Sequence, residues 1–342
     1  MTAHTLFIAP IGLFPVLLYL VLLLQLDSYK LVSLPEILEA LFAGAVLAAV
    51  AYFVNGRAIG ALHYSFHTYS NFVAPFAEES LKAAFMLVMF ARNRLGFMID
   101  AAIVGFGVGA GFAVAENLYY LTLYPQPPFG VFVIRGLGTA LMHGGATAVF
   151  GVMAQSLTER HSDPNPLYYL PGLGAAIALH GLYNYFQSTP LLATAVMLVA
   201  LPLTLLLVFT KSEHKIHTWL LADYESHEHL LAEIRDGTFT HSAAGRFMLD
   251  IERKFGTSVV ADVLAYIQLH TELVMRAEKD SLAHEKGQNI REGHDVHEMF
   301  AKLHALEKKI GRTAMLAIWP HLHFSRQELF ELHELEGQTA RT

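Results

Sequence analysis

The stretch Met98–Leu121, MIDAAIVGFGVGAGFAVAENLYYL, decides the fold class. Apart from Asp100 at its start and Glu116-Asn117 near its end, it is apolar on every face of a helix. Its length exceeds the ~20 residues that cross a hydrocarbon core at 1.5 Å rise per residue. Gly105, Gly107, Gly109 and Gly111 supply two overlapping GxxxG pairs, 105/109 and 107/111. Such pairs let helices approach closely in lipid, where small residues at the contact replace the hydrophobic effect as the basis of packing. A membrane span follows.

Six more runs flank it: Leu6–Leu26, Ile37–Val54, Phe72–Phe90, Val131–Leu157, Leu167–Gln187 and Leu191–Thr210. The hydropathy pattern thus predicts about seven spans over residues 1–210. Met1–Thr5 carries no basic residue and Leu6–Leu26 has no small-x-small cleavage site after it, so this run reads as a retained span and not a signal peptide. The chain is 54% hydrophobic and 15% charged, against about a quarter charged in a soluble domain. The charges are unevenly spread, most of them lying after Lys211.

Residues 211–342 show helical periodicity instead. Leu230, Leu231 and Ile234 precede an Asp-Gly break at 236–237; Val259-Val260, Val263-Leu264, Ile267 and Val274 follow. Phe300, Leu303, Leu306, Ile310 and Leu316 then lead to a stop at Trp319-Pro320. These predict four or five amphipathic helices in a small soluble bundle. The fold class is all-α: a polytopic membrane bundle followed by a helical tail.

With no cysteine, disulfides, thiolate catalysis and Cys-based zinc sites are excluded. A net charge of −7, mostly in the tail, argues against a nucleic-acid surface. Lys30, Arg92, Arg94, Arg160, Lys211 and Lys215 fall on one side of the predicted spans, Arg57 and Arg135 on the other. The positive-inside rule places the N-terminus outside and the tail in the cytoplasm.

Ionisable groups in a span cost ~2.5–3.5 kcal/mol even on the lenient insertion scale, so they mark cavities or partners. The spans hold Glu78, Glu79 and Lys82; Glu116 with Asn117; His143; and His180 with Asn184. Lys82, four residues after Glu78 and three after Glu79, shares their helix face. One acid suffices for a structural ion pair; the second suits activation of water. The glycines beside His143, Gly144 and Gly145, admit a close neighbouring helix. The i,i+4 pair His180/Asn184 suits stabilisation of an oxyanion. For each, the structural alternative is a satisfied core polar group, or for Glu116 an interfacial carboxylate. Counted inward from the span ends, all lie in one layer roughly 6–18 Å deep in the outer half of the bilayer. Scattered structural polar groups do not share a layer.

Glu78-Glu79-x-x-Lys82, Phe112-Ala-x-x-Glu116-Asn117, His143 and His180-x-x-x-Asn184, in order on four spans, resemble the PrsW family of intramembrane proteases. That family belongs to a wider group with CAAX prenyl proteases and bacterial Abi proteins. The resemblance covers about Phe72–Gln187 and implies peptide-bond hydrolysis in the bilayer, with cleavage of membrane-bound anti-sigma factors on the extracytoplasmic side of a bacterial plasma membrane. By position, Glu78/Glu79 match the motif supplying the water-activating carboxylate, and His180/Asn184 match the pair proposed to hold the oxyanion. Glu116 stands where CAAX relatives have a His. Since the family is labelled both a glutamate protease and a metalloprotease, the resemblance implies either no cofactor or zinc.

Two mechanisms are therefore expected. In one, Glu79 or Glu78 activates water, His180 and Asn184 hold the oxyanion, His143 orients or protonates, and Lys82 tunes the acids. In the other, Glu116, His143 and His180 bind zinc with Glu79 as base. The expected partners are the lipid bilayer, a single-span substrate protein and a cytoplasmic protein bound by the tail. A proton- or ion-coupled transporter and a non-catalytic scaffold with a signalling tail are the alternatives. The tail holds most of the nineteen histidines, including His227/His229, His294/His297 and His321/His323. They read as a solvated surface in preference to a metal or pH sensor.

Overall fold

The computed structural model describes residues 3–27, 29, 32–92, 94–124, 126, 128–159, 165–236, 257–286, 288, 294–311, 315 and 326–339. Trp319-Pro320, Leu316, the His321/His323 pair, Lys30 and Arg160 lie outside the described residues. The described elements are helical, and the chain divides into two compact units, Met1–Glu213 and His214–Thr342.

In the first unit, α1 spans Ala3–Leu26 and α2 spans Leu34–Leu62. The short α3, Phe66–Thr68, passes through a π turn, Tyr69–Val73, into α4, Ala74–Ala91. Then come α5, Met98–Leu123, and α6, Phe129–Ile134, which a second π turn, Arg135–Thr139, joins to α7, Ala140–Glu159. Helix α8 is Leu170–Tyr185 and α9 is Pro190–Arg235. Among the described residues, five stretches are helical, long and apolar enough to cross a membrane: His4–Leu26, Leu34–Ala61, Met98–Leu123, Phe129–Glu159 and Pro190–His214. The expected spans Phe72–Phe90 and Leu167–Gln187 correspond to the shorter α4 and α8, of 18 and 16 residues. The outward faces of α1, α2 and α9 carry exposed large apolar side chains such as Phe7, Phe42 and Leu207. Lipid satisfies such faces; water does not.

Helix α5 is the centre of this unit, buried from Ile99 to Ala113. Its first turn is capped by Asp100, whose carboxylate accepts from the Gly96 and Phe97 amides at 2.6 and 2.8 Å. Its glycines divide between two neighbours. A Cβ at Gly105 or Gly109 would overlap the Thr147 or His143 carbonyl of α7, while one at Gly111 would overlap the Leu41 carbonyl of α2. Each GxxxG pair thus faces a different helix, and α7 is drawn close enough to present His143.

The second unit contains α10, Thr257–Glu285; α11, His294–Ile310; and α12, Arg326–Thr339. Val263, Ile267, Val274, Phe300, Leu303 and Ile310, all in the predicted periodic pattern, are buried in its core with Leu332 and Leu335, and Leu230, in the part of α9 after Glu213 that belongs to this second unit, packs against it.

Candidate active site

The polar residues of four helices meet in one network. On α4, the fully buried Lys82 donates to Glu79 Oε1 at 2.6 Å, the i,i+3 geometry of one helix face. From α8, His180 Nδ1 lies 2.7 Å from the same oxygen. From α7, His143 Nδ1 lies 3.2 Å from Lys82 Nζ and His143 Nε2 lies 3.2 Å from Glu116 Oε2 of α5. The two imidazoles stand nearly perpendicular, ring centres 4.8 Å apart.

Hydrogen-bond chemistry fixes the tautomers. An ammonium only donates, so His143 Nδ1 accepts from Lys82 and Nε2–H donates to Glu116. Glu79 only accepts when ionised, so His180 Nδ1–H donates to it and the Nε2 lone pair faces away. That nitrogen lies 4.0 Å from Glu78 Oε2.

The adjacent glutamates therefore differ. Glu79 is buried and occupied by Lys82 and His180. Glu78 accepts from Asn55 Nδ2 at 2.8 Å through Oε1, which leaves Oε2 toward His180. Asn55 is held in turn by Tyr69, whose hydroxyl donates to Asn55 Oδ1 at 2.8 Å. A cavity of about 580 Å³ opens over Glu78, Glu116, His143, His180 and Asn184, with Ala45, Ala48 and Ala49 of α2 on its wall.

Of the sequence-predicted residues, Glu79, Lys82, Glu116, His143 and His180 are linked by contacts of 2.6–3.2 Å, and Glu78 lies 4.0 Å from His180. Asn184 lines the cavity while donating to the Ser70 carbonyl at 2.8 Å. Asn117 faces α1, donating to the Gly12 carbonyl at 2.7 Å. Three residues of the network were missed. Asn55 falls one residue past the predicted end of its span, because α2 runs on to Leu62. Tyr69 sits in a π turn that apolar periodicity does not mark. Arg135 was counted only as a topological charge, although its position at the start of a predicted span was a usable signal.

The sequence model of the PrsW family of intramembrane metalloproteases matches residues 34–209, about half of the chain, from the start of α2 into α9. The chain belongs to the PrsW family. It is an integral membrane protein and a peptide hydrolase, which sets aside the transporter and scaffold alternatives. No curated protein and no solved structure shows a significant match to it.

PrsW proteins are described as metalloproteases, and the donor set here fits a metal. Ligand atoms of Glu78, His143 and His180 lie within 4.8 Å of one another, and His143 would join the set by releasing a ring nitrogen from Lys82 or Glu116. Two imidazoles and a carboxylate are a set used by catalytic zinc. Glu79 accepts from His180 Nδ1 at 2.7 Å, the kind of outer carboxylate that orients an imidazole whose other nitrogen binds a metal. The expected set contained Glu116 in place of Glu78. Arg135 Nη2 lies 3.0 Å from Glu116 Oε2.

Proposed function

We propose that this PrsW protein cleaves a single-span, membrane-anchored protein within the outer half of the bilayer, with Glu78 as the carboxylate that meets the reacting water. One observation carries this: Asn55 holds one oxygen of Glu78 while the other faces His180 Nε2 across 4.0 Å at the cavity. A group that is oriented at one atom and open at the other is prepared for proton transfer.

Water between Glu78 and His180 gives its proton to Glu78 Oε2 as its oxygen attacks the substrate carbonyl. The proton passes on to His180 Nε2, and Glu79 at Nδ1 stabilises the imidazolium so formed. His180 then protonates the departing amine. Asn184, one turn beyond His180 on the cavity wall, is the amide placed to stabilise the oxyanion. A divalent metal held by Glu78, His143 and His180 would supply Lewis-acid polarisation of the carbonyl and an activated water.

The basic residues of the short loops support an N-terminus outside and a cytoplasmic tail in a bacterial plasma membrane. That topology puts the cavity on the extracytoplasmic side and favours an anti-sigma factor or a similar single-span regulator as substrate. The His214–Thr342 unit is the part to which a cytoplasmic partner would bind.

Cleavage of reconstituted single-span reporters, including anti-sigma-like ones, tests this directly. Glu78→Gln should lower turnover by about 10²–10⁴-fold, the usual contribution of a positioned base. Glu79→Gln and His180→Ala should also lose activity, and a strong chelator separates the metal-dependent form from the metal-free one. A folded wild type that cuts no reporter, or a Glu78→Gln variant that cuts normally, would overturn the proposal.

A further inference from the structure

Arg135 opens the π turn between α6 and α7, and single π turns inside helices are frequent at functional sites. Its guanidinium is fixed at several points. Nε donates to Asn117 Oδ1 at 2.7 Å, Nη2 lies 3.0 Å from Glu116 Oε2, and the group stacks 3.6 Å from the ring centre of Tyr120. Asn117 is anchored by the Gly12 carbonyl of α1. Beyond Glu116 the line continues to His143 Nε2 at 3.2 Å. Gly12 lies outside the region matched by the family model, so this line ties α1 to the site.

We propose that Arg135 is a positioning residue: clamped by Asn117 and Tyr120, it holds Glu116 where that carboxylate receives the Nε2–H of His143. Lys82 fixes the other ring nitrogen of His143, so Glu116 determines whether the ring is held from one side or from both. The planar fork of an arginine reaches Asn117 from Nε and Glu116 from Nη2, two nitrogens at a fixed separation, whereas a lysine would have to reach both from a single ammonium. The role rests on the protease function for its kinetic consequence, but not for its effect on His143.

The test uses the full chain in detergent micelles, with Arg135→Ala, Arg135→Lys, Glu116→Gln and the Arg135→Ala/Glu116→Gln double variant. Reporter cleavage is measured together with the ¹H–¹⁵N side-chain spectrum of His143. Arg135→Ala should lower kcat on the order of 10–100-fold, as loss of an outer hydrogen-bond partner does, with KM changed by less than about twofold. In the Glu116→Gln background, removing Arg135 should cost little more, because the two act as one unit. Arg135→Lys, which keeps the charge, should recover part of the loss. Added guanidinium should rescue Arg135→Ala but not the double variant, an outcome that a purely structural role does not produce. The His143 Nε2–H signal should shift in Arg135→Ala and in Glu116→Gln alike.

Fully additive losses, or a His143 signal that ignores Arg135→Ala, would overturn the role. If the wild type cuts no reporter, the protease function fails, and the His143 signal alone decides for or against Arg135. If Arg135→Ala does not fold, Arg135→Lys decides: a partial loss with a shifted His143 signal supports the role, and wild-type values for both overturn it.

Discussion

Glu78 and Glu79 are neighbours in sequence and differ in every contact that matters. The sequence shows that Lys82 shares a helix face with both, since i,i+3 and i,i+4 partners are equally placed. Which of them it neutralises is a matter of rotamer and of the helices packed opposite. In the structure Lys82 pairs with Glu79 at 2.6 Å and His180 takes the same oxygen, while Asn55 claims Glu78. Glu79 and Lys82 form a buried pair with side-chain exposures of 1% and 0%, so removing one partner strands the other. Lys82→Met should cost about 3–5 kcal/mol, the usual penalty for an uncompensated buried charge. It should appear as a lower unfolding midpoint of the purified protein in micelles. Adding Glu79→Gln removes the stranded charge and should recover much of that midpoint, but not cleavage, because His180 still lacks its carboxylate. A Lys82→Met midpoint equal to wild type would show that the pair carries no stability.

At the scale of elements, α5 shows what sequence spacing reveals and where it stops. Its four glycines announced close helix contact, but spacing alone does not say which helix each one meets. That depends on the rotation of α5 between α2 and α7. Gly109 lies under the backbone of His143, so packing there sets the site. Gly109→Ala should destabilise the protein by about 1–3 kcal/mol through overpacking and should reduce cleavage by displacing α7. Gly174→Ala is the control, because a Cβ there meets nothing within 4 Å. It should leave both thermal unfolding and cleavage near wild type. Equal midpoints and rates for the two variants would mean that the α5–α7 contact tolerates a methyl group. The polar residues of the spans were legible because lipid makes them expensive, and six of them meet as one network. Asn55, Tyr69 and Arg135 were not, for reasons that belong to the elements. A helix outran its apolar pattern at Asn55, Tyr69 stands in a π turn that leaves no mark on hydropathy, and Arg135 at a span start was counted as a topological charge alone.

The two units of the molecule bury polar groups for different ends. In Met1–Glu213 the buried Glu78, Glu79, Lys82, His143 and His180 gather at or beside the cavity, whereas in His214–Thr342 buried ionisable groups such as His270 and Glu278 lie within a helical unit. His270 of α10 is buried there beside Tyr266, and burial, reinforced by the positive field of His227, lowers its pKa from 6.5 to about 3. A histidine held neutral in the fold gains a proton on unfolding once the pH drops below its ordinary value. Between pH ~6.5 and ~3 the unfolded state then binds the extra proton, and stability falls with falling pH by up to about 1.4 kcal/mol per pH unit for this one group. Above pH ~6.5 both states are neutral and the effect vanishes. His227 faces Glu278 at 3.1 Å and Glu328 at 4.0 Å, a second cluster of ionisable groups in the same unit. Replacing His270 isolates its share. Amide hydrogen exchange of α10 in the full protein, followed from pH 7 to pH 5 and corrected for intrinsic rates, should show protection falling as the pH falls. His270→Phe should flatten that slope by about one proton's worth of linkage. If the slope is the same in His270→Phe as in the wild type, the acid sensitivity of α10 belongs to the His227–Glu278–Glu328 group, and His270 is a core residue without a pH role.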